Sequence, residues 1–192
     1  MKIYDITQEL FHCNVYPGDE RPSFSKFLDL EKGDICNLTV FRMCAHNGTH
    51  IDAPSHFIKD GKTVSELDLN RLVGEATVVH FDGVLTEDDI RNIMKTAKPR
   101  ILFKGKTVVS LEAAKELNRH QVLLVGNESQ TVGPEDAPLQ VHLELLGKEV
   151  VLLEGIVLKD VPVGDYILNA APLNLGVAEG APCRALLMEI SN

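Results

Sequence analysis

Residues 45–57 read Ala-His-Asn-Gly-Thr-His-Ile-Asp-Ala-Pro-Ser-His-Phe, and they decide how the rest of the chain is read. The chain has 7 histidines, and His46, His50 and His56 all fall inside this stretch. With Asp52 they offer imidazole and carboxylate together, the donor mixture that suits Zn²⁺, Mn²⁺ or Fe²⁺. His50 and Asp52 stand two apart, so an extended backbone turns both side chains to one side. Gly48 and Pro54 interrupt regular structure and let the chain wrap around an ion. The competing reading is a polar loop with unrelated, exposed histidines. Four donors in one Gly/Pro-punctuated segment weigh against it.

Outward from this loop, strand and helix patterns alternate, as in a mixed α/β fold. Leu38–Met43 and Glu75–Phe81 read as strands, the second β-branched and bounded by Gly74 and Asp82-Gly83. Thr86, then Glu87-Asp88-Asp89, then Ile90, Ile93, Met94 and Ala97 predict a capped helix over 87–97. Ser110 caps a second stripe of Leu111, Ala114 and Leu117, and Leu139, Leu143 and Leu146 define a third that ends at Gly147. Apolar runs at Ile101–Phe103, Val122–Val125 and Val150–Leu153 read as buried strands, as do residues 172–175 and 185–190 within Tyr166–Ile190. The segment from Leu10 to Phe27 has neither period and reads as an extended arm. With no repeat or linker, residues 1–192 are expected to form a single compact domain, a central mixed β-sheet or barrel-like β core flanked by helices.

Composition bounds the possibilities further. A chain of 192 residues, 44% hydrophobic, can bury a core without disulfides. Cys13, Cys36, Cys44 and Cys183 are unevenly spaced with no CxxC, so they read as reduced thiols, mostly buried. Lys+Arg at 19 against Asp+Glu at 28 gives a net charge of −9, which argues against a nucleic-acid partner. No apolar run approaches a membrane span, and the opening MKIYDITQEL lacks the apolar region of a signal peptide, so a cytoplasmic location is expected. The sequence shows no obvious apolar surface patch or charge block of the kind a docking protein would carry.

The segment His46–Phe57 resembles the HxGTHxDxPxHF signature of the metal-dependent cyclase/hydrolase family that includes bacterial kynurenine formamidase and isatin hydrolase. Tyr4-Asp5-Ile6 and Tyr16-Pro17-Gly18-Asp19 are similar to the family's opening strand and its (W/Y)PGD turn. Val163–Tyr166, Ala171-Pro172-Leu173 and Ala181–Ala185 resemble its closing strands. The resemblance implies that His46, His50 and Asp52 ligate a first divalent ion, Zn or Mn. It implies that His142 and Glu154 hold a second, with Asp52 between them. It makes His56 the acid/base group and puts the Tyr16 aromatic beside the substrate. His142 alone, on a Leu-rich helix, would read as a core histidine. Glu154, however, ends the apolar run VVLL, where an ionised carboxylate costs several kcal/mol unless paired.

The activity implied is hydrolysis of a C–N bond in a small amide, with N-formylkynurenine as the family's best-known substrate. The alternatives are hydrolysis of a cyclic amide or other small acyl compound, and a metal- or small-molecule-binding protein without turnover. Residues 104–111 are shorter than the family's usual cover loop, which leaves the substrate open. Gly126-Asn127-Glu128-Ser129 and Gly155 also depart from its pattern. The short loop and scarce aromatics predict a homo-oligomer, dimer or tetramer, in which Tyr16 or Phe24 reaches a neighbour's site.

Overall fold

Burial with a period of two builds the central sheet. The computed structural model describes residues 1–189, so the predicted end of the last strand at Ile190 lies outside the described residues. Leu102, Leu124, Val151 and Leu153 join one buried cluster, while Ile101, Phe103, Val125 and Leu152 join another, so neighbouring strands send alternate residues to opposite faces. Among the described residues the strands are β1 (Ile3–Asp5), β2 (Ser23–Leu28), β3 (Leu38–Arg42), β4 (His50–Asp52), β5 (Val73–His80), β6 (Gly83–Leu85), β7 (Arg100–Lys104), β8 (Thr107–Val109), β9 (Leu124–Asn127), β10 (Val151–Glu154), β11 (Gly164–Asn169), β12 (Gly180–Pro182) and β13 (Leu186–Glu189). Nine of them form one sheet in the order β1-β13-β11-β5-β7-β9-β10-β4-β12, and β2-β3 and β6-β8 form two small ribbons.

The middle of the sheet, β5-β7-β9-β10, is parallel, and both flanks are antiparallel. Parallel neighbours need crossovers. Helices α1 (Glu87–Ile93), α2 (Leu111–Arg119) and α3 (Leu139–Leu146) provide them, and all three cover one face. The other face curls around a cluster that takes in Ile51 and Ala181 from one end and Leu187 from the other. No helix of the described residues is long and apolar enough to cross a membrane.

The expected caps are present. Thr86 and Asp89 form a reciprocal capping box, and the Ser110 hydroxyl accepts from the Ala113 N–H. Helix α1 ends at Ile93 rather than Ala97 and continues as a turn in which the Thr96 and Ala97 N–H groups both donate to the Ile93 carbonyl, so Met94 and Ala97 still pack inward. Gly147 ends α3 in right-handed geometry.

The buried face of α3 differs from the predicted stripe. It consists of Val141, His142, Leu145 and Leu146, and Leu139 is 48% exposed. Residues 172–175 do not form a strand. Pro172 makes a single bridge to Cys183, and Leu173 and Leu175 are exposed. Cys13 and Cys183 are buried, whereas Cys36 is exposed and Cys44 half-buried.

The largest correction concerns the N-terminal arm. Leu10–His12 form a short 3₁₀ turn, and β2 pairs with β3 in an antiparallel hairpin. A two-stranded ribbon has two faces and no layer to cover both. Phe24, Phe27, Leu38, Val40 and Phe41 are therefore exposed, with Phe11 packing at 4.6 Å on Phe24 as partial cover. The surface does carry an apolar patch, and Phe41, at 51% exposure, is not core.

Candidate active site

The site is built where the antiparallel flank joins the parallel sheet. β10 pairs with β4 so that Glu154 stands opposite His50 and Leu152 opposite Asp52. Ile51 and Leu153 point into the curled face. His50, Asp52 and Glu154 must then point to the helical face, with opposed Cβ atoms about 4.5–5.5 Å apart. Helix α3 turns His142 toward the same place. The loop before β4 supplies His46, and the 3₁₀ turn Pro54–His56 stacks His56 on His46 with ring centroids 4.1 Å apart. Gly180 leaves room for this pair, since a Cβ there would meet the His46 ring at 2.5 Å.

Each donor is aimed by a partner behind it. His50 Nδ1 donates to the Gly48 carbonyl at 3.0 Å, and His142 Nδ1 to the Pro138 carbonyl at 2.9 Å. This fixes the tautomer and leaves both Nε2 lone pairs facing inward. The Val132 N–H donates to Glu154 Oε1 at 2.9 Å. His46 lies between two carboxylates, with Nδ1 2.9 Å from Asp52 Oδ1 and Nε2 3.2 Å from Glu179 Oε1.

The charges interact strongly. Burial disfavours the His46 cation, but the hydrogen bond and charge of Asp52, with Glu179 beyond it, push this imidazole up to about 9. Burial would raise Asp52, yet the His46 hydrogen bond and the nearby charges of His50, His46 and His56 hold it well below the usual carboxylate range. Burial lowers His56, against the pull of Asp52. For His142 burial opposes the cation, and Glu154 outweighs it and raises the group.

The arrangement fits a divalent cation. His50 Nε2 is 3.5 Å from Asp52 Oδ1 and 3.6 Å from Glu154 Oε2. His142 Nε2 is 3.3 Å from Glu154 Oε1 and 3.7 Å from Asp52 Oδ2. These gaps exceed ordinary hydrogen bonds of about 2.7–3.2 Å, so the atoms converge without bonding one another. Asp52 Oδ2 is buried with no hydrogen-bond partner, a costly state that a cation would relieve. Two groups of donor atoms lie within 4.8 Å of one another, His46–Asp52–His56 and His50–Asp52–Glu154, and Asp52 belongs to both.

A cavity of about 350 Å³ opens over these groups. Tyr16, Phe57 and Pro138 form its apolar wall, and Asp19, Gln130 and Thr131 add polar groups. All six donors expected from the sequence thus meet at one place, and Tyr16 lines the cavity of its own chain. The Tyr16 hydroxyl donates to the Glu135 carbonyl at 3.0 Å, joining two loops beside the opening. Residues 104–111 are not among the cavity's lining residues; 107–109 pair with β6 in a ribbon. Phe57 packs on His142 with ring centroids 4.6 Å apart. His80 and His120 stand apart, paired with Asp82 and Glu116.

Sequence reasoning missed Glu179 and Thr131. Glu179 lies 133 residues from His46, with no spacing to link them, although it directly precedes the Gly180–Pro182 strand.

The chain belongs to the family described as putative cyclases, which it matches over residues 4–133. Within that class it is 36% identical over 203 residues to a kynurenine formamidase of Geobacillus thermodenitrificans, covering 97% of each chain. It is 30% identical to a kynurenine formamidase of Erythrobacter litoralis, over 98% of this chain and 94% of that one. A solved structure described as a potential metal-dependent hydrolase with cyclase activity superposes with a TM-score of 0.86 at 29% identity, covering 100% of this chain and 99% of that one.

Proposed function

We propose that this chain is a metal-dependent hydrolase that opens the C–N bond of a small, non-peptide amide, with an N-formyl arylamine such as N-formylkynurenine as substrate. The observation that carries the reading is the convergence of buried donors around the unpartnered Asp52 oxygen. His46, His50 and Asp52 would hold one divalent ion, Zn or Mn. His142 and Glu154 would hold a second, with Asp52 shared. When bound, such an ion supplies Lewis acidity to a carbonyl and brings the pKa of water toward neutrality.

The side chains have distinct tasks. His50 and His142, each anchored through Nδ1 on a carbonyl, present fixed lone pairs. Glu179 holds His46 from behind, the role of a carboxylate that orients a ligating histidine. His56 lies beside the donors without a hydrogen-bond partner of its own among the described residues, and its lowered pKa keeps the ring neutral near pH 7. It accepts a proton from the attacking water and returns it to the leaving nitrogen. Tyr16, Phe57 and Pro138 offer flat apolar contact to an aryl group.

The exposed β2-β3 hairpin supports a homodimer or homotetramer in which this hairpin is the interface. Tyr16 then serves its own subunit, and Phe24 lies in the contact. Sedimentation of wild type beside the Phe24→Ser/Phe41→Ser double variant checks it, and an active wild-type monomer refutes it. The activity is tested by metal analysis and by release of formate from N-formylkynurenine and formanilide with Zn²⁺ or Mn²⁺ restored after chelation. Tight metal binding without turnover of any formyl or cyclic amide would refute the enzyme reading.

A further inference from the structure

Thr131 lines the cavity, is 3% exposed, and has a hydroxyl with no hydrogen-bond partner. Its backbone is fixed on two sides. The carbonyl accepts from Asn127 Nδ2 at 3.0 Å, and the N–H donates to Ser129 Oγ at 3.4 Å. The next residue, Val132, donates its N–H to Glu154 Oε1, the oxygen that lies 3.3 Å from His142 Nε2. Thr131 is therefore one peptide from the group that orients Glu154, in the lining of the cavity that holds the donors.

Apart from the histidines, the other neutral polar side chains of the wall are engaged. The Tyr16 hydroxyl is bonded to Glu135. The Gln130 amide, turned so that its nitrogen faces the Asn14 and Gly48 carbonyls, donates to both and accepts from Gln8 Nε2. A buried hydroxyl without a partner costs stability that an isosteric valine would avoid. A group in that state at a reactive cavity is one whose partner arrives with the ligand.

We propose that the Thr131 hydroxyl binds substrate, donating a hydrogen bond to the carbonyl oxygen of the amide under attack. This rests on the hydrolase reading above. Negative charge grows on that oxygen as water adds, so a donated hydrogen bond strengthens on the way to the transition state. Its loss should appear mainly in kcat.

The test compares wild type, Thr131→Val and Thr131→Ser, each metal-loaded. Thr131→Val should melt at or above the wild-type temperature with full metal content. Its kcat on formanilide should fall about 10- to 100-fold, with KM raised by no more than about tenfold. Thr131→Ser should stay within about threefold of wild type. Calorimetric binding of phenylurea, a planar amide isostere, supplies a readout independent of turnover, with Thr131→Val binding about tenfold more weakly. Wild-type kcat and phenylurea affinity in Thr131→Val overturn the proposal while leaving the hydrolase reading intact. A lowered melting temperature in Thr131→Val also overturns it, since the hydroxyl would then have a structural partner. Absence of amide turnover in wild type, with phenylurea binding still dependent on Thr131, fails the reading and upholds the contact.

Discussion

Asp52→Asn is the substitution that bears most directly on the site, because Asp52 belongs to both donor groups. Its Oδ1 lies 2.9 Å from His46 and 3.5 Å from His50, and its Oδ2 lies 3.7 Å from His142. Asparagine keeps the shape, removes the charge and turns one oxygen into a donor. An ion that binds the native state at a hundred times its Kd stabilises it by about 2.7 kcal/mol. At about 2–4 °C per kcal/mol for a chain of this size, the melting temperature rises by about 5–11 °C. Asp52→Asn should lose most of that rise and most of the bound metal. The metal-free variant should also be weaker than metal-free wild type, since breaking a buried ion pair costs about 3–5 kcal/mol. The quantity to compare is therefore the metal-induced shift, measured by scanning fluorimetry with elemental analysis. His80→Ala and His120→Ala should keep the whole shift. Full stoichiometry and an undiminished shift in Asp52→Asn would refute the reasoning.

Three further outcomes are expected. His56→Ala should retain metal but lose about 10²- to 10⁴-fold in kcat, and parallel loss of metal and rate would make His56 a ligand. Metal-free His46, raised to about 9, carries a proton at pH 7.5 that a bound ion must displace. Metal affinity should then increase with pH and level off above about 9; calorimetry in buffers of different ionisation enthalpy should show a proton released at pH 7.5 and little release above pH 9. Gly180→Ala would place a Cβ 2.5 Å from the His46 ring, so it should cost about 1–3 kcal/mol in denaturant unfolding and weaken metal binding. Wild-type values for both would mean that His46 moves without consequence.

What was legible in the sequence was what is local. The two-residue spacing of His50 and Asp52, the Thr86 and Ser110 caps, and the apolar runs of β7, β9 and β10 each depend on a few neighbouring residues. What was not legible depends on tertiary pairing. Glu179 reaches His46 only because β12 pairs with β4 at the sheet edge, with Gly180 opposite Asp52. Leu38–Met43 reads as a strand and is β3, but its partner β2 has no signal, because a strand exposed along nearly its whole length has no alternation of polar and apolar residues to show. Residues 104–111 read as a cover shorter than the family's usual loop, and within them only 107–109 take regular structure, as β8 paired with β6.

Helix α3 shows what the site demands of the fold. By apolarity alone, Leu139, Leu143 and Leu146 should face the sheet. Leu146 does, but the helix is rotated so that Val141, His142 and Leu145 are buried with it, His142 beside Glu154, and Leu139 is exposed. Such a rotation exchanges favourable leucine burial for a polar ring in a low-dielectric interior, where an unpaired polar group is costly. The Pro138 carbonyl satisfies one ring nitrogen and turns the other toward the carboxylates, so part of that cost is met within the chain. The remaining part, with that of the buried Asp52 and Glu154 oxygens, falls to the ion. Replacing His142 with leucine should therefore reduce the metal-induced shift and also weaken the metal-free chain, because Glu154 is left buried without its imidazole neighbour. Denaturant unfolding with and without metal reads both, and a His142→Leu protein at least as stable without metal as wild type, with an undiminished shift, would show that the rotation of α3 is a matter of packing alone.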